Sequence, residues 1–152
     1  MKGGMIVKRT NSGDQDFRSL VSLLDRELAI RDGNDHSFYA QYNKIDQLQN
    51  TVVCYVEERA IGCGAFKKHA TNSVEIKRMF VVSELRGQGF AQVILKELES
   101  WAGELGFEEC ILETGKKQPE AIRLYQKAGY ILIPNYGQYE GVENSVCMKR
   151  KI

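Results

Sequence analysis

Val81-Val82-Ser83-Glu84-Leu85-Arg86-Gly87-Gln88-Gly89-Phe90-Ala91-Gln92 joins two runs of opposite character. Before it, Ser73 to Val82 is rich in β-branched and alternating residues and predicts a long strand. After it, Ala91, Ile94, Leu95, Leu98, Trp101, Ala102 and Leu105 recur at helical spacing, so Gly87 to Gly106 predicts an amphipathic helix that stops at a glycine. Between the two, Arg86 to Ala91 holds the small residues that let a backbone turn tightly. The amide hydrogens of the first helical turn then point outward, aided by the helix dipole, and a pyrophosphate fits there. Taken alone, the paired glycines Gly87 and Gly89 serve equally well as a plain helix start.

Two better-known phosphate motifs are excluded. The dinucleotide fingerprint needs a further glycine where Gln92 stands, and it needs the first strand of the domain, whereas this turn follows the fourth. A nucleoside-triphosphate loop needs Lys followed by Ser or Thr, which Phe90, Ala91 and Gln92 do not supply.

Upstream, residues 5–10 read as a first strand, and Asp14 or Asp16 is placed to cap a helix with the stripe Phe17, Leu20, Val21, Leu24, Leu28. Residues 36–43 fit a short helix or an ordered loop equally. Thr51 to Glu57 and Ala60 to Lys68 form a hairpin by composition; a turn at Glu58 and Arg59 would set Cys54 opposite Cys63, close enough for a cross-strand bond. Downstream, Glu108 to Thr114 is a strand, Pro119 to Ala128 a helix ended by Gly129, and Tyr130 to Ile133 and Ser145 to Lys151 are further strands. Strand and helix alternate here, which requires crossovers and predicts a mixed α/β sheet.

The chain has 152 residues, 43% apolar and 27% charged, which suits one domain spanning 1–152 without a disordered tract. Its 21 basic and 20 acidic residues nearly cancel, so no global field draws it to nucleic acid or to an anionic membrane. The N-terminus lacks the apolar run of a signal peptide and no stretch reaches membrane-spanning length, so a cytoplasmic location is expected. Cys54, Cys63, Cys110 and Cys147 lack metal or redox spacing, and buried reduced thiols are the simpler reading. No metal is expected. His36 beside Asp35 and Ser37 suits a solvated or capping side chain.

Arg86, Gly89 and Ala91 match the pattern Arg or Gln, two residues, Gly, one residue, Gly or Ala, and the segment resembles the acetyl-CoA pyrophosphate motif of the GNAT superfamily of N-acetyltransferases. The strand Glu75 to Val82 resembles that family's fourth strand, and Pro119 to Tyr125 with Gly129 and Tyr130 resembles its helix after the fifth. The three segments lie in the family's order across residues 73–134. The helix segment followed by Ile133, Pro134, Tyr136, Gly137 and Tyr139 resembles a common bacterial branch. The resemblance implies a mixed, mostly antiparallel sheet splayed between strands 4 and 5 and flanked by helices. It also implies acetyl-CoA as cosubstrate, its pantetheine arm pairing like an added strand with the backbone of Met79, Phe80 and Val81 and its diphosphate on Arg86, Gly87, Gln88, Gly89, Phe90 and Ala91. Many relatives carry Asn where this chain has Gln118, a longer amide for the pantetheine; Arg123 and Lys127 are candidates for the phosphates or a solvated face.

Attack on a thioester needs a neutral amine. A lysine-like ammonium costs about 4 to 5 kcal/mol to deprotonate at pH 7, an α-amino group about 1 to 1.5. The resemblance places two carboxylates for that task, Glu113 first and Glu75 second, acting directly or through water; either equally suits an ion pair with Lys77, Arg78 or Lys116. It puts the Tyr125 hydroxyl near the coenzyme sulfur as the acid, although the helix stripe of Ala121, Leu124 and Ala128 also suits a core aromatic. Ile30 to Tyr39 and Ile133 to Glu143 are the segments expected to select the acceptor, a small-molecule amine ahead of a protein N-terminus. The protein is expected as a monomer or homodimer. Its rival reading is a non-catalytic acyl-CoA-binding sensor.

Overall fold

The structure, a computed structural model, describes residues 4–33 and 48–152. The segment 36–43, with His36 and most of Ile30 to Tyr39, lies outside the described residues. The chain runs β1 (Met5–Thr10), α1 (Gln15–Asp32), β2 (Asn50–Val56), β3 (Arg59–Ala70), β4 (Ser73–Val81), α2 (Phe90–Glu104), β5 (Glu109–Gly115), α3 (Pro119–Lys127), β6 (Ile131–Ile133) and β7 (Ser145–Lys151). One seven-stranded sheet takes the order β1-β2-β3-β4-β5-β7-β6, antiparallel except for the parallel pair β4 and β5.

Local chemistry sets the boundaries. Asp14, not Asp16, caps α1 by accepting from the Phe17 amide at 2.9 Å, while Asp16 accepts from the Tyr55 hydroxyl at 2.6 Å. Phe17, Leu20, Val21 and Leu24 turn one face of α1 into the core. Opposite, α2 buries Phe90, Ile94, Leu95, Leu98 and Ala102. It starts three residues later than its apolar spacing predicts, because Gly87 and Gly89 are left-handed, at φ 80° and 88°, and Gly89 is the cap. The close seat of α2 depends on Gly64 in β3, where an added Cβ would stand 2.6 Å from the Met79 sulfur and 2.8 Å from a Leu98 methyl.

The expected β2–β3 turn is displaced by one residue. Glu57 and Glu58, both at positive φ (48° and 69°), make the turn, and an irregularity between Cys54 and Tyr55 shifts the register. Cys54 therefore faces Gly62 and Cys63 faces Val53, so the two thiols point to opposite sides of the sheet. All four cysteines are free and buried. Cys63 donates instead to the Arg78 carbonyl at 3.4 Å.

β4 and β5 pair only over Ser73–Glu75 with Glu109–Ile111. Beyond that, β4 runs on to Val81 and β5 to Gly115 without each other, and the sheet splays. A bulge marks the divergence: the register with β3 jumps between Cys63 opposite Phe80 and Ala65 opposite Lys77, so Arg78 and Met79 together oppose Gly64. Arg78 sits in the left-handed region at φ 59° to make it, and its side chain runs buried to Asp25 of α1 at 2.5 Å.

Candidate active site

The splay opens a cleft that crosses the molecule from the Arg86–Ala91 turn to the paired segment of β4 and β5. It has a wide end of about 440 Å³ and a narrow end of about 110 Å³; Leu24, Met79, Gln118, Ala121 and Tyr125 line both. Of the predicted phosphate and pantetheine residues, Met79, Phe80, Val81, Arg86, Gly87, Gly89, Phe90, Ala91 and Gln118 line the wide end; Gln88 is exposed and outside the lining. Arg123 and Lys127 add two exposed cations to the same mouth.

Backbone direction matters more here than side chains. Val82 donates to Ile61 on β3 at 2.9 Å. Successive strand amides alternate in direction, so that of Val81 faces the gap, where β5 has drawn away. The Val81 carbonyl, on the same side, accepts from Arg86 Nε at 2.8 Å. The Arg86 guanidinium is further held by both oxygens of Glu27, at 2.8 and 3.0 Å, and lies over the Phe80 ring. Its side chain thus braces the turn, and the turn presents backbone.

The narrow end carries the titratable groups. Glu75, Lys77, Glu113, Tyr125 and Tyr139 all line it. Burial raises the pKa of the Tyr125 hydroxyl well above the usual phenol range, and the charge of Glu113 adds to it. Burial lowers the pKa of Lys77, against the opposing pull of Glu75. Of the three cations expected as partners for these carboxylates, Lys77 interacts electrostatically with both Glu75 and Glu113, whereas Arg78 meets Asp25 and Lys116 meets Glu143 at 3.6 Å. Glu75 accepts a hydrogen bond from the Tyr136 hydroxyl at 2.7 Å and stands 3.9 Å from Lys67. Tyr136, in the segment between β6 and β7, is a contact that sequence patterns do not carry, since 61 residues separate it from Glu75. Its partner Tyr139 is buried on a single 3-10 turn.

Across residues 17–130 the chain matches the profile of the Acetyltransferase (GNAT) family. The chain belongs to the GNAT family. Among GNAT relatives, the IAA acetyltransferase of Azospirillum brasilense is 32% identical over 93 residues, covering 60% of this chain and 61% of that protein. The chain thus spans about three-fifths of the length of such a curated relative. The GNAT fold recurs in a Klebsiella pneumoniae protein described as an acyl-CoA N-acyltransferase, at TM-score 0.80, 24% identity and 97% coverage of both chains. It recurs again in a GNAT family acetyltransferase from Elizabethkingia anophelis with acetyl-CoA bound, at TM-score 0.72, 17% identity and coverage of 99% and 100%. Among the described residues no helix is long and apolar enough to cross a membrane, and no three His, Cys, Asp or Glu side chains group to hold a metal.

Proposed function

We propose that the chain is an N-acetyltransferase that moves the acetyl group of acetyl-CoA directly to a primary amine of a small molecule. The observation that carries this is the single cleft joining the left-handed glycine turn to Tyr125 and the two carboxylates through the gap between β4 and β5. A diphosphate suits the α2 end of that cleft, where the amides at the start of α2, Arg123 and Lys127 supply positive potential. The pantetheine arm suits the gap, where the Met79 and Val81 backbone lacks β5 as a neighbour.

In this reading the amine nitrogen attacks the thioester carbonyl carbon. The Val81 N–H faces the oxygen that gains charge, and the carbon–sulfur bond breaks. Glu113, ahead of Glu75, accepts the amine proton directly or through water, and Tyr125 gives its proton to the departing thiolate. The raised pKa of Tyr125 keeps the hydroxyl protonated at neutral pH, so that it is available to donate to the departing sulfur. Calorimetry with acetyl-CoA, followed by thiol release over a panel of primary amines, tests the proposal. Saturable binding with turnover supports it. Binding without turnover on any amine assigns the chain to acyl-CoA sensing, and no binding removes the reading altogether.

A further inference from the structure

Charge gathers where β4 and β5 part. Their parallel register places Glu75 opposite Ile111 and ends there. Carried on by two residues, it sets Lys77 level with Glu113, on the face of the sheet that Glu75 shares. From this point the strands leave their paired spacing of about 4.8 Å. One ammonium and two carboxylates thus stand at the apex of the splay and line the narrow end of the cleft, Glu75 and Lys77 buried and Glu113 partly so.

Two carboxylates in one cleft repel, and burial adds a cost to each charge, so without a cation between them one would keep a proton. A general base must be ionised to accept one. The groups facing the pair come from every neighbouring element. Burial first, and the charge of Glu113 after it, hold the protons on Tyr125 of α3, Tyr139 of the 3-10 turn and Cys147 of β7, which lies opposite Glu113. Tyr136 donates to Glu75, and His69 of β3 stands edge-on to the Tyr136 ring at 5.1 Å. Among the described cations, Arg78 is turned to Asp25 of α1, Lys116 to Glu143 and Lys149 of β7 to Glu109. Lys67 of β3 lies 3.9 Å from Glu75, but half of its side chain is in water, which screens it. Lys77 is the buried one, and it interacts with both carboxylates: burial draws its pKa down, and the charges of Glu75 and Glu113 pull it back.

We infer that Lys77 is a positioning residue of the transfer reaction: its ammonium, set beside Glu113 at the apex of the splay, keeps Glu113 ionised next to Glu75 and so ready to take the acceptor's proton. The inference rests on the reading of Glu113 as the base. Lys77 neither attacks nor gives up its own proton; the amine proton passes to Glu113, directly or through water. Glu75 has the complementary part. Its charge favours Lys77 as the ammonium, so Glu75 secures the cation and the cation secures the base.

The test is a pH titration of the whole chain labelled with carbon-13 at its glutamate carboxylates, the Glu113 resonance being assigned through Glu113→Gln. Lys77→Met, close in length but neutral, should raise the Glu113 midpoint by about 1 to 3 pH units, the scale of losing an opposite charge at close range. Lys77→Arg should keep it low, and Lys67→Met, at the wet rim, should move it by less than about a third as much. The same Lys77→Met change made over Glu75→Gln leaves no carboxylate in excess, and it should raise the midpoint above that of Glu75→Gln alone by a similar amount. That comparison carries the test if Lys77→Met by itself does not fold. Thiol release from acetyl-CoA with the fastest amine of the panel should show the acid limb of the pH–kcat profile moving with the midpoint, while KM for acetyl-CoA holds. A packing role predicts a loss of unfolding free energy with the Glu113 midpoint and the acid limb unmoved, and that result overturns the inference. So does an equal shift from Lys67→Met. Saturable acetyl-CoA binding without turnover on any amine removes Glu113 as the base and the inference with it, whereas a fixed midpoint in an active protein overturns the inference alone. Failure to bind acetyl-CoA, read by calorimetry, sinks the underlying function as well.

Discussion

Tyr125 reaches the cleft from a helix whose neighbouring residues Ala121, Leu124 and Ala128 pack into the core, and its ring meets Tyr130 edge-on at 5.7 Å. Core packing and a place at the site are therefore compatible in one residue, and the two readings of its helical stripe need not compete. Tyr125→Phe keeps the ring and removes the proton; kcat should fall on the order of 10²-fold while calorimetric affinity for acetyl-CoA stays unchanged. Glu113→Gln should lower the rate most near pH 7 and progressively less as pH approaches that of the free amine, because the acceptor then arrives already deprotonated. A pH–rate profile with the same acceptor for both forms checks it, and parallel profiles would remove Glu113 as the base. The motif-bearing residues were legible because their spacing reflects local backbone demands. The Tyr136 to Glu75 contact was not, because sequence offers no measure of which loop folds back on which strand.

At the scale of elements, the strands and helices followed from periodicity, and the departures have identifiable causes. The β2–β3 turn moved because Glu57 and Glu58 accept positive φ, which residue type alone did not announce. The bulge at Arg78 and Met79 was equally silent, since the run Glu75 to Val82 alternates no differently from a regular strand. What it demands is space on β3, and Gly64 provides that space. Gly64→Ala should destabilise the protein by about 1 to 3 kcal/mol, because the added methyl meets Met79, Leu98 and Ile94 at once. Urea unfolding measures this, and a loss below a few tenths of a kcal/mol would mean that α2 shifts without strain. The turn before α2 responds differently: Gly87 has open space for a Cβ but a φ of 80°, so Gly87→Ala should cost only about 1 kcal/mol, from backbone strain.

For the molecule as a whole, buried thiols set a pH limit. Burial pushes Cys63 and Cys110 up to about 12 and Cys147 up to about 11, against an ordinary value of 9.0. The unfolded chain loses these protons first, so their contribution is intact below about pH 9 and is lost as pH rises through the folded values. The free energy of unfolding, from urea titrations, should fall over that window by roughly 1 kcal/mol per pH unit for each thiol. Cys63→Ala should flatten the slope even as it lowers the plateau, and an unchanged slope would mean that other groups carry it. Disulfide-exchange reagents should correspondingly label the folded protein far more slowly than the urea-unfolded one.

The short seam between β4 and β5 has a mechanical meaning. Three residue pairs join a plate made of β1 to β4 with a plate made of β5 to β7, and side chains brace them: Glu99 of α2 gripped by Tyr130 and Arg150, Arg31 of α1 tied to Glu120 of α3, and Glu75 of β4 held by Tyr136. Pulled from its open side, such an assembly parts like a hinged book before either cover tears. An occupant lodged between the covers acts as glue along the spine, so the rupture force of a single tethered molecule would report whether the slot is filled.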